Sequence, residues 1–294
     1  MRSRTFVVFQ LSLGLLTWMA CESFAQSVDE KNLVVMRVPG SREVFIVPPD
    51  RPHCFVRHLS LESFSCRNWK EIPNGKDGVW GASHEWPWHD DGTITCTGLA
   101  APDVPYQLSM VPHETYIEIQ VTVTNDGNLT FEDLYAHMCM DIRQNLLMYD
   151  PTMERTFVQI EGKRRAMAQT DVADSINGVM PAYFLKTVPP ADRWLPDALR
   201  RYGWDISSDV VDSPVVAIAS KDGGWVAGLW FEPVHYVIGN YRPPHHGCIH
   251  SEPSFGTLRP GQFSSVTGRL YICAGTIDEI WQQMTRDWLQ VRDN

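Results

Sequence analysis

The nine residues from Tyr116 to Thr124 alternate without a break. Ile117, Ile119, Val121 and Val123 point one way, and Tyr116, Glu118, Gln120, Thr122 and Thr124 the other. A period of two with one apolar set marks a strand with one face in a core. Strand-type runs recur at Val34 to Val38, Glu43 to Val47, Thr93 to Thr97, Leu134 to Ile142, Phe157 to Ile160, Arg165 to Gln169, Val215 to Ala219, Trp225 to Phe231 and Phe263 to Ile272. Turn chemistry separates many of them: Pro39-Gly40, Asn125-Asp126-Gly127-Asn128, Asp222-Gly223-Gly224 and Pro260-Gly261. The expected fold is all-β, a large antiparallel β-sandwich. Its end departs from the pattern. Thr276 and Glu279 have capping-box spacing, and Ile277, Ile280, Trp281, Met284 and Trp288 follow at helical intervals, so a C-terminal amphipathic helix is expected.

Two stretches resist this reading. His53 to Trp69 has no clear period, and Asp171 to Trp204, broken by four prolines, is too long for an ordinary connection. The latter is expected to be an excursion over the core or a functional cover.

The chain opens with Arg2 and Arg4, an apolar run from Phe6 to Ala20, and Ser23-Phe24-Ala25. That layout predicts a signal peptide over residues 1–25, export to the periplasm or the extracellular space, and a single domain over 26–294. The run is short for a membrane span, so no membrane insertion is expected. The net charge of −10 comes without a basic block beyond Lys163-Arg164-Arg165, which argues against nucleic acid as a partner. Cysteine is too sparse for a disulfide framework; Cys54 and Cys66 are the nearest pair after Cys21 is removed with the leader.

Candidate site residues lie in three places. His245, His246, Cys248, His250 and Glu252 crowd a segment expected to be a loop carried on the strand after Pro260-Gly261. His84, Trp86, Trp88 and His89 surround Pro87; flat indoles cover the apolar faces of a pyranose while polar tips take its hydroxyls. His137 shares a strand face with Tyr135, Cys139 and Asp141, and Arg143 follows. A histidine so placed is a candidate for proton transfer, though spacing alone favours a ring hydrogen-bonded across the sheet.

Two pieces, VTVTNDGNLTFEDLYAHMCM (residues 121–140) and EPSFGTLRPGQFSSVTGRLYI (residues 252–272), are similar to segments of the galactose mutarotase-like superfamily, which includes aldose 1-epimerases and domains of many carbohydrate-active enzymes. The resemblance implies the supersandwich form of the β-sandwich. It also implies His137 as general acid and Glu252 as general base. The expectation is an exported protein acting on a saccharide or polysaccharide in a concave sheet cleft, as an epimerase, hydrolase or lyase. His137, Glu252, His250 and His84 would be catalytic; Trp86, Trp88, His89, Arg143, Arg242 and His246 would bind substrate, Arg143 or Arg242 taking a uronate carboxylate. His137→Ala should then abolish activity and barely move the melting temperature. A glycan-binding module without catalysis is the second reading. No cofactor is expected under either. A divalent metal on His245, His246 and His250, with His84 or His89, is the third.

Overall fold

Strict alternation in Tyr116–Thr124 becomes strict alternation of burial, with Ile117, Ile119, Val121 and Val123 sealed in the core. The computed structural model describes residues 31–37, 43–51, 55–72, 80–81, 83–85, 89, 92–143, 145–171, 180–201, 203–242 and 246–294. The expected signal peptide, Trp86, Trp88 and His245 lie outside them.

In chain order the first strands are β1 (Val34–Arg37), β2 (Glu43–Val47), β3 (Val56–Ser65), β4 (Trp80–Gly81), β5 (Ser83–Glu85) and β6 (Ile94–Ala101). Next come β7 (Val104–Pro112), β8 (Tyr116–Thr124), β9 (Phe131–Asp141), β10 (Thr156–Ile160), β11 (Lys163–Ala166) and β12 (Met180–Phe184). After helix α1 (Asp197–Arg201) the chain runs through β13 (Trp204–Ile206), β14 (Val216–Ala219) and β15 (Trp225–Glu232). It ends with β16 (Val234–Arg242), β17 (His246–Leu258), β18 (Phe263–Ala274) and helix α2 (Ile277–Arg292). Among the described residues these strands make two nine-stranded sheets. The first is ordered β1-β2-β3-β9-β17-β16-β12-β13 with β4 on β3, and the second β11-β10-β14-β15-β18-β8-β7-β6-β5. Neighbours are antiparallel except β12 and β13, which run parallel.

The core lies between the sheets. Leu134, Ala136, Met138 and Met140 of β9 join Ile117, Val121, Leu229 and Leu270 from the other side. α2 covers the outer face of the second sheet, packing Ile280, Trp281, Met284 and Trp288 on Val226, Trp230 and Tyr271. Its capping box is formed on both sides, as the sequence predicts. Among the described residues no helix is long and apolar enough to cross a membrane.

The outer face of the first sheet is covered too. Tyr135 and Tyr236 pack with Phe184, Leu195, Leu199 and Trp204. Trp204 is on β13, four strands from β9, which in a flat sheet would be about 19 Å away. Its ring nevertheless stands 5.8 Å from that of His137 on β9. The first sheet is therefore strongly curled, with a concave outer face.

Two expectations need correction. His246–Leu258 is not a loop but a thirteen-residue strand between β9 and β16, in the middle of the first sheet. Arg165 to Gln169 is strand only to Ala166 and continues as a 3₁₀ turn, Met167–Gln169. The sequence leaves the cysteine pairing open; Cys66 carries a free, buried thiol, its pKa pushed up by burial to about 12, and Cys54 lies outside the described residues.

Candidate functional site

Alternation sends Tyr135, His137, Cys139 and Asp141 of β9 to the concave face while their neighbours enter the core. On β17 the same rule sends Cys248, His250 and Glu252 outward and Ile249 inward. Antiparallel pairing sets Cys139 opposite His250 and Asp141 opposite Cys248. Ser63 and Ser65 of β3 stand opposite His137 and Tyr135.

These side chains form one hydrogen-bonded array. Glu252 Oε1 lies 2.9 Å from His250 Nδ1 and 3.4 Å from His137 Nδ1, and Oε2 accepts the Met138 amide at 2.7 Å. Both Nδ1 atoms carry hydrogen, because a carboxylate only accepts. His137 Nε2 is 3.2 Å from Ser65 Oγ, and His250 Nε2 is 3.1 Å from Cys248 Sγ. The Tyr236 hydroxyl donates to that of Tyr135 at 3.0 Å.

Burial opposes the charge on Glu252, but His250 and His137 outweigh it and hold the carboxyl below its usual range. Burial likewise disfavours an imidazolium at His250, yet the Cys248 sulfur and the Glu252 carboxylate hold its pKa well above normal. The centre is thus an ionised carboxylate gripped by imidazoles. His137, His250 and Glu252 are all but inaccessible to solvent, at 2%, 1% and 0% exposure. Trp204 stands edge-on to both rings, 5.7 Å from His250.

Glu62, on β3, is half-buried and lies within electrostatic reach of His250, Cys248, His137 and Glu252. Burial raises its pKa, against the lowering pull of His250. It is the carboxyl of this site that keeps both solvent access and a raised pKa, the pair of properties a proton-transfer group needs. Sequence reasoning missed Glu62 and Ser65 because β3 shows no period. Leu61 sits at φ +43, and the register against β9 slips between Leu59 and Ser63.

A cleft of about 760 Å³ adjoins the array at the Asp133 end of β9, lined by Arg67, Asp133, Asp192, His235, Thr257 and Arg259 among others. His235 stacks on Tyr135 at 4.4 Å and faces the Asp133 carboxylate at 3.6 Å, while its Nε2 has no hydrogen-bond partner among the described residues. Burial drives its pKa down to about 4, against the opposing pull of Asp133.

The structure brings together His137, Glu252 and His250 of the expected residues. Arg143 is at the other end of the face and is bonded to Asp141 through Nε and Nη2. Arg242 and His246 pair across the β16–β17 hairpin, and only their backbones are described. His84 is on β5, at the edge of the second sheet, opposite Gly98. His89 is exposed beside that sheet, with its ring 3.1 Å from Thr95 Oγ1. For metal, the donors that converge are Cys139, Cys248 and His250.

A curled nine-stranded sheet packed on a second nine-stranded sheet is a β-sandwich of the galactose mutarotase-like fold. A galactose mutarotase related enzyme from Lactobacillus acidophilus superimposes with a TM-score of 0.50 at 12% identity, over 87% of this chain and 98% of that one. A galactose mutarotase-like protein from Lactobacillus casei gives 0.47 at 12%, over 85% and 100%. A putative aldose 1-epimerase from Escherichia coli gives 0.40 at 13%, over 73% and 79%. No protein-family model matches the chain, and no curated protein matches it in sequence. The likeness at this identity is one of fold.

Proposed function

We propose that this is an exported carbohydrate-active protein that binds a saccharide at the margin of the covered concave face of the first sheet, where Glu62 keeps solvent access, and acts on it by acid–base chemistry. The observation that carries the reading is Glu62, a half-buried carboxyl of raised pKa beside the His137–Glu252–His250 array. Glu62 exchanges the proton with the sugar. Glu252, ionised and sealed, orients both imidazoles, and His137 and His250 set the field that Glu62 feels. The role moves from the buried pair to its accessible neighbour, and the chemistry stays that of an epimerase, hydrolase or lyase. The adjoining cleft supplies Arg67, Asp133 and His235 for further sugar hydroxyls or a uronate carboxylate. Mass analysis of the exported product should find it beginning at Gln26.

The test is a panel of defined oligosaccharides read by product mass and optical rotation. Turnover is expected on at least one. Glu62→Gln should lower it by about 10²- to 10⁴-fold with the melting temperature unchanged. Turnover that survives Glu62→Gln would reject the assignment. The near-total burial of His137 and Glu252 favours one other reading, a glycan-binding module in which the array is structural. Binding without turnover, indifferent to Glu62→Gln, would select it.

A further inference from the structure

Cys139, Cys248 and His250 each offer a donor atom, all three donors lie within 4.8 Å of one another, and all three residues are buried. They come from two adjacent central strands whose register is fixed by pairing, so the set is built into the sheet. The distance from His250 Nε2 to Cys248 Sγ is 3.1 Å. In a tetrahedral zinc site with Zn–S of about 2.3 Å and Zn–N of about 2.0 Å, the ligand atoms stand about 3.5 Å apart. The Cys248–His250 pair would part by a few tenths of an ångström to admit the ion.

The second observation is Glu252. Its carboxylate takes the Nδ1 hydrogen of His250 at 2.9 Å, so Nε2, which faces Cys248 Sγ, is the nitrogen that gives up its proton and ligates when the metal enters. A carboxylate behind the histidine is the arrangement that orients metal-bound imidazoles and raises their donor strength.

We propose that Cys139, Cys248 and His250 bind a thiophilic d¹⁰ cation, Zn²⁺ or Cu⁺. Two sulfurs and one imidazole make a soft donor set that selects these ions over Mg²⁺ or Ca²⁺. Binding releases the two thiol protons; Zn²⁺ balances the charge of the two thiolates, whereas Cu⁺ leaves the site with one net negative charge. Three protein ligands satisfy Cu⁺, whereas Zn²⁺ takes a fourth, exogenous ligand such as water. The site is distinct from a cluster of His245, His246 and His250, and it stands whether or not the protein acts on sugars.

The experiment uses the mature chain purified without a histidine tag, reduced and stripped with a chelator. Titration with Co²⁺ under anaerobic conditions should give a thiolate charge-transfer band and tetrahedral d–d bands. These should saturate at one ion per chain and be displaced by one equivalent of Zn²⁺. A parallel titration with Cu⁺ against a coloured chelator decides which ion binds more tightly. Cys139→Ser with Cys248→Ser should abolish the band, His250→Asn should weaken binding at least tenfold, and Cys273→Ser should leave it intact, all with unchanged circular dichroism. No band and no retained Zn²⁺ or Cu⁺ in the reduced wild type would overturn the proposal. So would a Cys139–Cys248 disulfide in the protein as exported.

Discussion

Glu252 accepts from two imidazoles and one amide inside a shell of aromatic rings, and removing any donor leaves a buried acceptor short. His137→Ala strips a partner from both Glu252 and Ser65. It should cost about 1–3 kcal/mol, read as a lower midpoint in urea. The melting temperature would not stay level, contrary to what a solvent-facing catalytic histidine would show. An unchanged midpoint would remove His137 from the array. His235 makes a different prediction because it is buried neutral. Its folded pKa of about 4 lies below the ordinary value near 6.5, so the unfolded chain takes up a proton first as pH falls. Stability is full above about pH 6.5 and is lost between there and about pH 4. From pH 7.5 to 5 the loss from this ring is about 2 kcal/mol. Urea unfolding at the two pH values should therefore differ by that much less in His235→Gln than in the wild type. Equal losses in both proteins would mean that the ring is already charged in the folded state.

At the scale of elements, legibility followed the number of covers a strand has. β8 has one face in the core and one toward water, and its alternation could be read directly. β17 is buried on both faces, and its outward positions are filled by Cys248, His250 and Glu252 in place of apolar residues. Polar residues that satisfy one another read as a loop when the partners lie on other strands. His137, His250 and Glu252 were legible as chemistry. Their meeting was not, since it depends on the β9–β17 register. Trp204 was illegible as part of the site because it reaches it through the curl of the sheet. The helix α2 was legible from its cap and stripe, but its seat was not. Gly228 on β15 is that seat: an added Cβ would fall 2.6 Å from Met284 Cε and 2.9 Å from both Ala217 Cβ and the Val216 carbonyl. Gly228→Ala should cost about 1–3 kcal/mol by overpacking. Met284→Ala in the same chain should recover part of that cost, because it removes the closest clash. Thermal unfolding of the two variants and the double variant measures the coupling, and strict additivity would mean that α2 does not rest on this glycine.

On the scale of the whole molecule, one sheet is closed by a helix and the other by its own far strands. The curl that brings β13 over β9 turns the outer face of the first sheet into a second, partly polar interior. Such a closed face explains how an ionised carboxylate and two imidazoles persist there: the Coulomb attraction among them is strong where water is excluded. Trp204 is the piece of that cover in contact with both rings. Diethyl pyrocarbonate, which acylates accessible imidazoles, should spare His137 and His250 in the folded wild type while labelling exposed His89. Trp204→Ala removes a large buried ring at a cost of about 3 kcal/mol and opens the face. Peptide mapping should then find label on His137, whose ring the indole covers in the wild type. Rapid labelling of His137 in the wild type would show that the cover is open in solution. The saccharide would then reach the imidazole itself, and Glu62 would no longer be needed as the group between them.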